Sequence, residues 1–158
     1  MNEFKDYHLK PYLYKALNFI HFKNPTPVQE MVIPSALCGE SLMVESATGS
    51  GKTHAFLIPI LQNIDEEKKD VQVVIVSPTR ELATQLYKVC IELTQFSEKE
   101  IEVPKVIGGM DREVETKKYE KKQPHIVIGT IGRLMDLVID ANVLKIHNAQ
   151  TVVIDEAD

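Results

Sequence analysis

The chain has 158 residues, 44% hydrophobic and 26% charged, with a formal net charge of −5. That length and mixture fit one soluble core, and no apolar run approaches the about eighteen residues of a membrane span. The acidic balance argues against binding nucleic acid through bulk positive charge, so any such binding has to be local and directed at the backbone. The polar N-terminus lacks a signal-peptide core, which points to the cytoplasm. Cys38 and Cys90 sit apart in apolar helical contexts without metal-ligand spacing, and read as small core hydrophobes.

In chain order, Phe4 is an isolated aromatic in a polar lead, followed by a helical pattern through Leu13, Leu17 and Ile20. Next comes His21-Phe22-Lys23-Asn24-Pro25-Thr26-Pro27-Val28-Gln29, where the prolines impose an extended approach and Thr26 caps a helix that Pro27 opens. Gln29 falls in the first turn of that helix. Its amide carries the donor and acceptor that match the N6 and N7 edge of adenine, although a solvent-facing glutamine satisfies the same sequence. The helix runs through Met31, Val32, Ile33 and Leu37 and stops at Gly39.

Residues 41–53, S-L-M-V-E-S-A-T-G-S-G-K-T, organise the rest. They predict an apolar strand (Leu42, Met43, Val44), a loop over Ala47, Thr48, Gly49, Ser50 and Gly51, and a helix opened by Lys52 and Thr53. Gly49 and Gly51 let the backbone turn its N–H groups inward, so that loop and helix start together form an anion nest. Lys52 then reaches the β and γ phosphates of a nucleoside triphosphate, and the Thr53 hydroxyl ligates magnesium. The generic phosphate-loop pattern opens with Gly where this chain has Ser46.

A helix ending near Ile64, a charged connector over residues 65–70 and an apolar strand over residues 71–76 follow. Beyond Ser77-Pro78-Thr79-Arg80, helical spacing continues to about Phe96. Residues 103–107 predict a strand broken by Gly108 and Gly109, and residues 111–122 a helix with a solvated, charged face. Residues 126–128 predict the next strand, closed by Gly129-Thr130-Ile131-Gly132-Arg133, with a helix carrying Leu134, Leu137 and Val138 inward. The last strand, residues 151–154, runs into Asp155-Glu156-Ala157-Asp158.

This alternation argues for a parallel α/β sheet flanked by helices, of the P-loop NTPase kind. Every polar motif lies at a strand's carboxyl end, where such sheets bind ligands. Asp155 and Glu156, adjacent carboxylates after an apolar strand, call for a metal partner. Asp155 can hold magnesium through its water shell while Glu156 orients and deprotonates the water that attacks the γ phosphate.

Phe4, residues 22–29, Ala47-Thr-Gly-Ser-Gly-Lys-Thr53, Pro78-Thr-Arg-Glu-Leu-Ala83, Gly108-Gly109, Thr130-Ile-Gly-Arg133 and Asp155-Glu-Ala-Asp158 together resemble the DEAD-box RNA helicases, in that family's motif order. The chain is most similar to the bacterial cold-shock-associated members. The resemblance implies a RecA-like sheet lacking its last strands, with residues 1–38 as a Q-motif region and residues 39–158 as the N-terminal part of the ATP-binding domain. It implies that Phe22 packs on adenine, that Gln29 bonds its edge and that Phe4 supports them. Thr48 to Thr53 would hold the phosphates of ATP, with Mg2+ on Thr53 and Asp155, and with Lys52, Asp155 and Glu156 as the catalytic set. Pro78, Thr79, Arg80, Gly108, Gly109, Thr130, Gly132 and Arg133 would grip the backbone of an RNA single strand or short duplex without reading sequence.

Three departures touch loops and remove no reacting group. His21 stands where the family usually has Gly, Ser46-Ala47 where it has Ala-Gln, and Ile131 where it has Pro. The family's Ser-Ala-Thr strand and second RecA-like domain, with its arginine finger, are not in this sequence, so the chain is expected to be a fragment that does not unwind RNA and has little or no ATPase activity alone. Two alternatives stay open, an inactive nucleotide- and RNA-binding module and a DNA helicase or translocase.

Overall fold

Proline placement and capping shape the N-terminal helices of the computed structural model, which describes residues 3–156. After a single 3-10 turn (Phe4–Tyr7), α1 (Pro11–Phe19) begins on proline, whose fixed φ and missing N–H suit a first helical turn. Leu13, Ala16 and Leu17 form its buried stripe. α2 (Pro27–Leu37) begins the same way behind Thr26. There the Thr26 hydroxyl accepts the Gln29 N–H at 3.4 Å and the Gln29 side-chain oxygen accepts the Thr26 N–H at 2.9 Å, a reciprocal box that satisfies two otherwise orphaned donors. α3 (Lys52–Asn63) carries Leu57, Ile58 and Leu61 inward. Its last carbonyls are met by a cation, since Lys10 Nζ donates to Ile64 O at 2.6 Å. Pro34 and Pro59 lie inside α2 and α3, each removing one backbone donor, which the hydrophobic pattern did not foreshadow.

The apolar run at Leu42, Met43 and Val44 does not form the strand that its composition predicts. Residues 40–47 form no strand, because no segment among the described residues lies alongside to complete their backbone hydrogen bonds. Met43 is fully exposed and Leu42 is 46% exposed, so these apolar side chains lie on a surface that the described residues do not cover.

The chain divides into two compact units, one made of the residues up to Ile64 together with Val89–Glu98, the other of Asp65–Lys88 and the residues from Lys99 onward. The second holds a four-stranded parallel sheet in the order β2-β3-β1-β4, with β1 at Val73–Ser77, β2 at Lys105–Val106, β3 at Ile126–Thr130 and β4 at Thr151–Ile154. β1 and β3 are buried on both faces, as their unbroken apolar runs require. A cluster of Val74, Val106, Val127, Tyr119, Leu134, Leu137 and Leu144 joins strands to helices. β4 differs, since Val152 and Ile154 stay about two-thirds exposed, at 63% and 64%.

α4 (Arg80–Thr94), α5 (Arg112–Lys121) and α6 (Ile131–Met135) each follow a strand, and α6 passes into a π-helical turn over Asp136–Asp140. The charged connector folds as a loop around Gln72, whose amide accepts the Asp65 N–H at 2.9 Å and donates to the carbonyls of Asp65 and Lys68. α5 shows the solvated, charged face its sequence predicts, and turns Glu115 and Tyr119 inward on the other side. No described helix is long and apolar enough to cross a membrane.

Candidate functional site

In the first unit the phosphate loop closes on two positive-φ glycines. Gly49 has φ +82° and Gly51, which caps α3, has φ +90°. Gly51 is required twice over, since a Cβ there would lie 2.5 Å from Gln29 Nε2 and 3.1 Å from Thr26 Oγ1, besides the cost of the left-handed backbone. The Ser50 N–H donates to Ala47 O at 3.2 Å, and the hydroxyls of Ser46 and Ser50 share a short hydrogen bond. Ala47, Thr48 and Gly49 are exposed, while Lys52 and Thr53 are half-buried at the helix start. The Lys52 side chain makes no hydrogen bond or ion pair among the described residues, which leaves its ammonium available to an anion.

Gln29 is not a solvent-facing glutamine; only 1% of it is exposed. Besides receiving the Thr26 N–H, it donates from Nε2 to Gly51 O at 3.1 Å. One side chain thus ties the cap of α2 to the turn of the phosphate loop, with one N–H and one lone pair left over. Beside it a cavity of about 260 Å³ is lined by His21, Phe22, Lys23, Asn24, Thr26 and Gln29. Phe4 is 2% exposed and stacks on Phe22 with ring centroids 6.4 Å apart and planes 19° apart. The Phe4 N–H donates to Lys23 O at 3.1 Å, which ties the upstream aromatic to the Phe22 segment.

His54 was missed by the sequence reading, although its place directly after Thr53 was a signal. Its ring lies 4.8 Å from Phe22, its Nε2 is buried without a hydrogen-bond partner among the described residues, and burial lowers its pKa.

In the second unit, three loops far apart in sequence line one cleft of about 560 Å³, formed by Pro78, Thr79, Arg80, Glu81, Gly108, Thr130, Gly132, Arg133 and Asp136. The parallel sheet explains the convergence, because β1, β2 and β3 all point their carboxyl ends the same way. Thr79 Oγ1 accepts the Leu82 N–H at 3.1 Å and so caps α4 at Arg80. Gly109, with φ +92°, adjoins Arg80, and a Cβ on it would lie 3.0 Å from Arg80 Nη2. The lining cations, Arg80 and Arg133, are matched by the carboxylates Glu81 and Asp136, so the cleft has no excess positive charge.

The sequence also left Glu115, Asp136 and Arg112 unremarked. Arg112 grips Asp136 with three hydrogen bonds, Nε to Oδ2 at 2.9 Å and to Oδ1 at 3.2 Å, and Nη2 to Oδ1 at 3.0 Å, and this pairing holds the Asp136 pKa below its ordinary value. Asp136 lies one helical turn beyond Arg133, a spacing that could have revealed it.

Asp155 follows β4, and its N–H donates to Val76 O at 2.9 Å, extending the ladder by one bond. Glu156 is exposed with φ +55°, a left-handed conformation uncommon outside glycine. Ala157 and Asp158, the rest of that motif, lie outside the described residues. No cluster of three or more His, Cys, Asp or Glu able to hold a metal occurs among the described residues. Thr53, at the start of α3, and Asp155, after β4, each carry an oxygen of the kind that magnesium takes beside phosphate and water.

Comparison with known proteins shows the family and the fold. Residues 26–158 match the family model described as DEAD/DEAH box helicase. The chain is 46% identical over 157 residues to the DEAD-box ATP-dependent RNA helicase CshB of Listeria monocytogenes, covering 99% of this chain and 36% of that protein. It is 45% identical to CshB of Bacillus subtilis, covering 99% and 35% respectively. The crystal structure of a DEAD box protein from the hyperthermophile Methanococcus jannaschii superposes with a TM-score of 0.88 at 32% identity, covering 99% of this chain and 42% of that one. This chain therefore spans about a third of the length of these curated relatives. With a family model over most of its length and a RecA-like neighbour along nearly all of it, the chain belongs to the DEAD/DEAH box helicase family.

Proposed function

We infer that this chain is the ATP- and RNA-binding N-terminal part of an ATP-dependent RNA helicase. The observation that carries the reading is Gln29, buried and bonded to both the α2 cap and the phosphate-loop carbonyl of Gly51, beside a cavity that Phe22 lines. This arrangement couples recognition of an adenine edge to the shape of the loop meant for phosphates. Phe22 supplies the stacking face and Phe4 backs it from behind.

In this reading Lys52 and the backbone N–H groups of Thr48 to Thr53 bind the phosphates, and Thr53 and Asp155 hold Mg2+. The ion, when bound, neutralises charge developing on the transferred phosphoryl group. Glu156 orients the attacking water and takes its proton. Pro78, Thr79, Arg80, Gly108, Thr130, Gly132 and Arg133 line the cleft, with Gly109 beside Arg80, and this cleft meets one RNA strand along its phosphates and sugars, contacts that position without reading bases. Local, shape-directed binding of this kind agrees with a net charge of −5. The site of action is the cytoplasm, and the 158-residue chain alone binds ATP and RNA but turns over little ATP and separates no duplex.

The test is equilibrium binding of labelled ATP and of single-stranded RNA beside a turnover assay. Lys52→Ala is expected to weaken ATP binding at least about tenfold while sparing the fold, since the Lys52 side chain bonds to nothing among the described residues. Unchanged ATP affinity in that variant would overturn the nucleotide assignment. RNA-stimulated phosphate release by the unsubstituted chain would overturn the claim that it is inactive alone.

A further inference from the structure

Arg133 lies in the cleft with its guanidinium already engaged by the protein. Its side chain is 14% exposed, Nε lies 3.2 Å from Glu115 Oε1, Nη1 lies 3.4 Å from Asp136 Oδ2, and Nη2 donates to the Met110 carbonyl. Glu115 is equally dependent on Arg133. Its side chain is 7% exposed, and apart from the Arg133 ion pair its oxygens accept no hydrogen bond among the described residues. Burial raises the Glu115 pKa, and the nearby cations Arg133 and Lys118 offset this only in part. Arg80 contrasts with both, its side chain being exposed and making no hydrogen bond or ion pair among the described residues.

A buried ion pair contributes little net stability against an apolar pair of like volume, because desolvation offsets its attraction. What this pair does accomplish is geometric. α5 supplies Glu115, α6 supplies Arg133, and the far end of Arg133 holds the carbonyl of the turn that follows Gly108 and Gly109. The contact to Glu115 is an ion pair and not a directed hydrogen bond, since Arg133 Nε is buried without a hydrogen-bond partner among the described residues; the directed bond to the turn is the one from Nη2 to the Met110 carbonyl.

We propose that Glu115 is a positioning residue of the cleft: through Arg133 it holds the 108–110 turn in the shape that an RNA backbone meets, while Arg80 supplies the cation that pairs with phosphate. The proposal rests on the reading of the cleft as an RNA site. It assigns Arg133 to the protein's own scaffold, so that its charge displaces no counterion from RNA.

The measurement is fluorescence anisotropy of labelled single-stranded oligouridylate over a series of salt concentrations. Each phosphate neutralised on a single strand contributes about 0.7 to the slope of log affinity against log salt. Arg80→Gln is expected to weaken binding and lower that slope by about 0.7. Glu115→Gln and Arg133→Gln are each expected to weaken binding about tenfold with the slope unchanged, and the double variant to be no weaker than either single, because the pair acts as a unit. Thermal melts report whether each variant folds. The double variant, which leaves no lone buried charge, keeps the test open should a single variant unfold.

A slope loss in Arg133→Gln equal to that of Arg80→Gln would make Arg133 a direct phosphate ligand and overturn the proposal, as would tighter binding with a steeper slope in Glu115→Gln. If only Arg80→Gln weakens binding, the cleft reading stands and Glu115 has no part in it. If all three variants bind RNA as the unsubstituted protein does, the cleft reading itself falls.

Discussion

At His21 the backbone occupies φ +64°, a left-handed conformation, in the position where the family resemblance leads one to expect glycine. The departure noted from sequence thus has a physical cost, because a Cβ in this region crowds the following carbonyl. His21→Gly is expected to raise stability by about 1 kcal/mol, read as a higher denaturant midpoint at unchanged slope. A lower midpoint would show that the imidazole makes a contact worth more than the strain.

His54 carries a second consequence at this scale. Burial lowers its pKa from the ordinary 6.5, so the unfolded chain accepts a proton there more readily than the native state. The neutral ring's contribution is complete above pH 6.5 and is lost as pH falls from there through the native pKa. Between about pH 7.5 and about pH 5.5, chemical unfolding should show a larger loss of stability in the unsubstituted protein than in His54→Phe, which keeps the aromatic contact with Phe22 and cannot titrate. Equal losses would place the titration elsewhere.

Among the elements, β4 is the one whose chemistry and surroundings disagree. Its sequence, Thr-Val-Val-Ile, is that of a covered strand, yet Val152 and Ile154 are exposed and only β1 pairs with it among the described residues. An open, apolar edge invites pairing with another chain. Val152→Lys is expected to change stability by less than about 0.5 kcal/mol while reducing self-association in light scattering. A large loss of stability would mean that the side chain packs more closely than its exposure indicates. The helices tell the opposite story, since α2 runs from Pro27 to Leu37 as its proline, cap and following glycine predict. α5 has the solvated face its charges predict, but charge density conceals a single inward carboxylate, Glu115, when its partner, Arg133, lies eighteen positions away on another helix.

For the molecule as a whole, protection should follow ladder pairing. β1 is bonded on both sides by β3 and β4, and β3 by β1 and β2, whereas residues 40–47 have no ladder partner among the described residues. Native-state hydrogen exchange is therefore expected to be slowest in β1 and β3 and fastest across 40–47. Comparable protection in the 40–47 stretch would reveal a partner that this structure does not contain.

Much of this was written in the chain itself. Periodicity, prolines and caps are local signals, so the alternation of helices and strands, the phosphate loop and the grouping of Pro78 to Arg80 with Thr130 to Arg133 at strand ends could be read directly. Folding in three dimensions decided the rest. It brought Gln29 under Gly51, His54 onto Phe22 and Glu115 onto Arg133, and it left residues 42–44 unpaired despite their strand-like composition. The physical reason is common to all four. Helix caps and turns are satisfied within a few residues, but the fate of a buried carboxylate, a ring or a ladder hydrogen bond depends on which distant segment arrives beside it, and no local pattern records that partner.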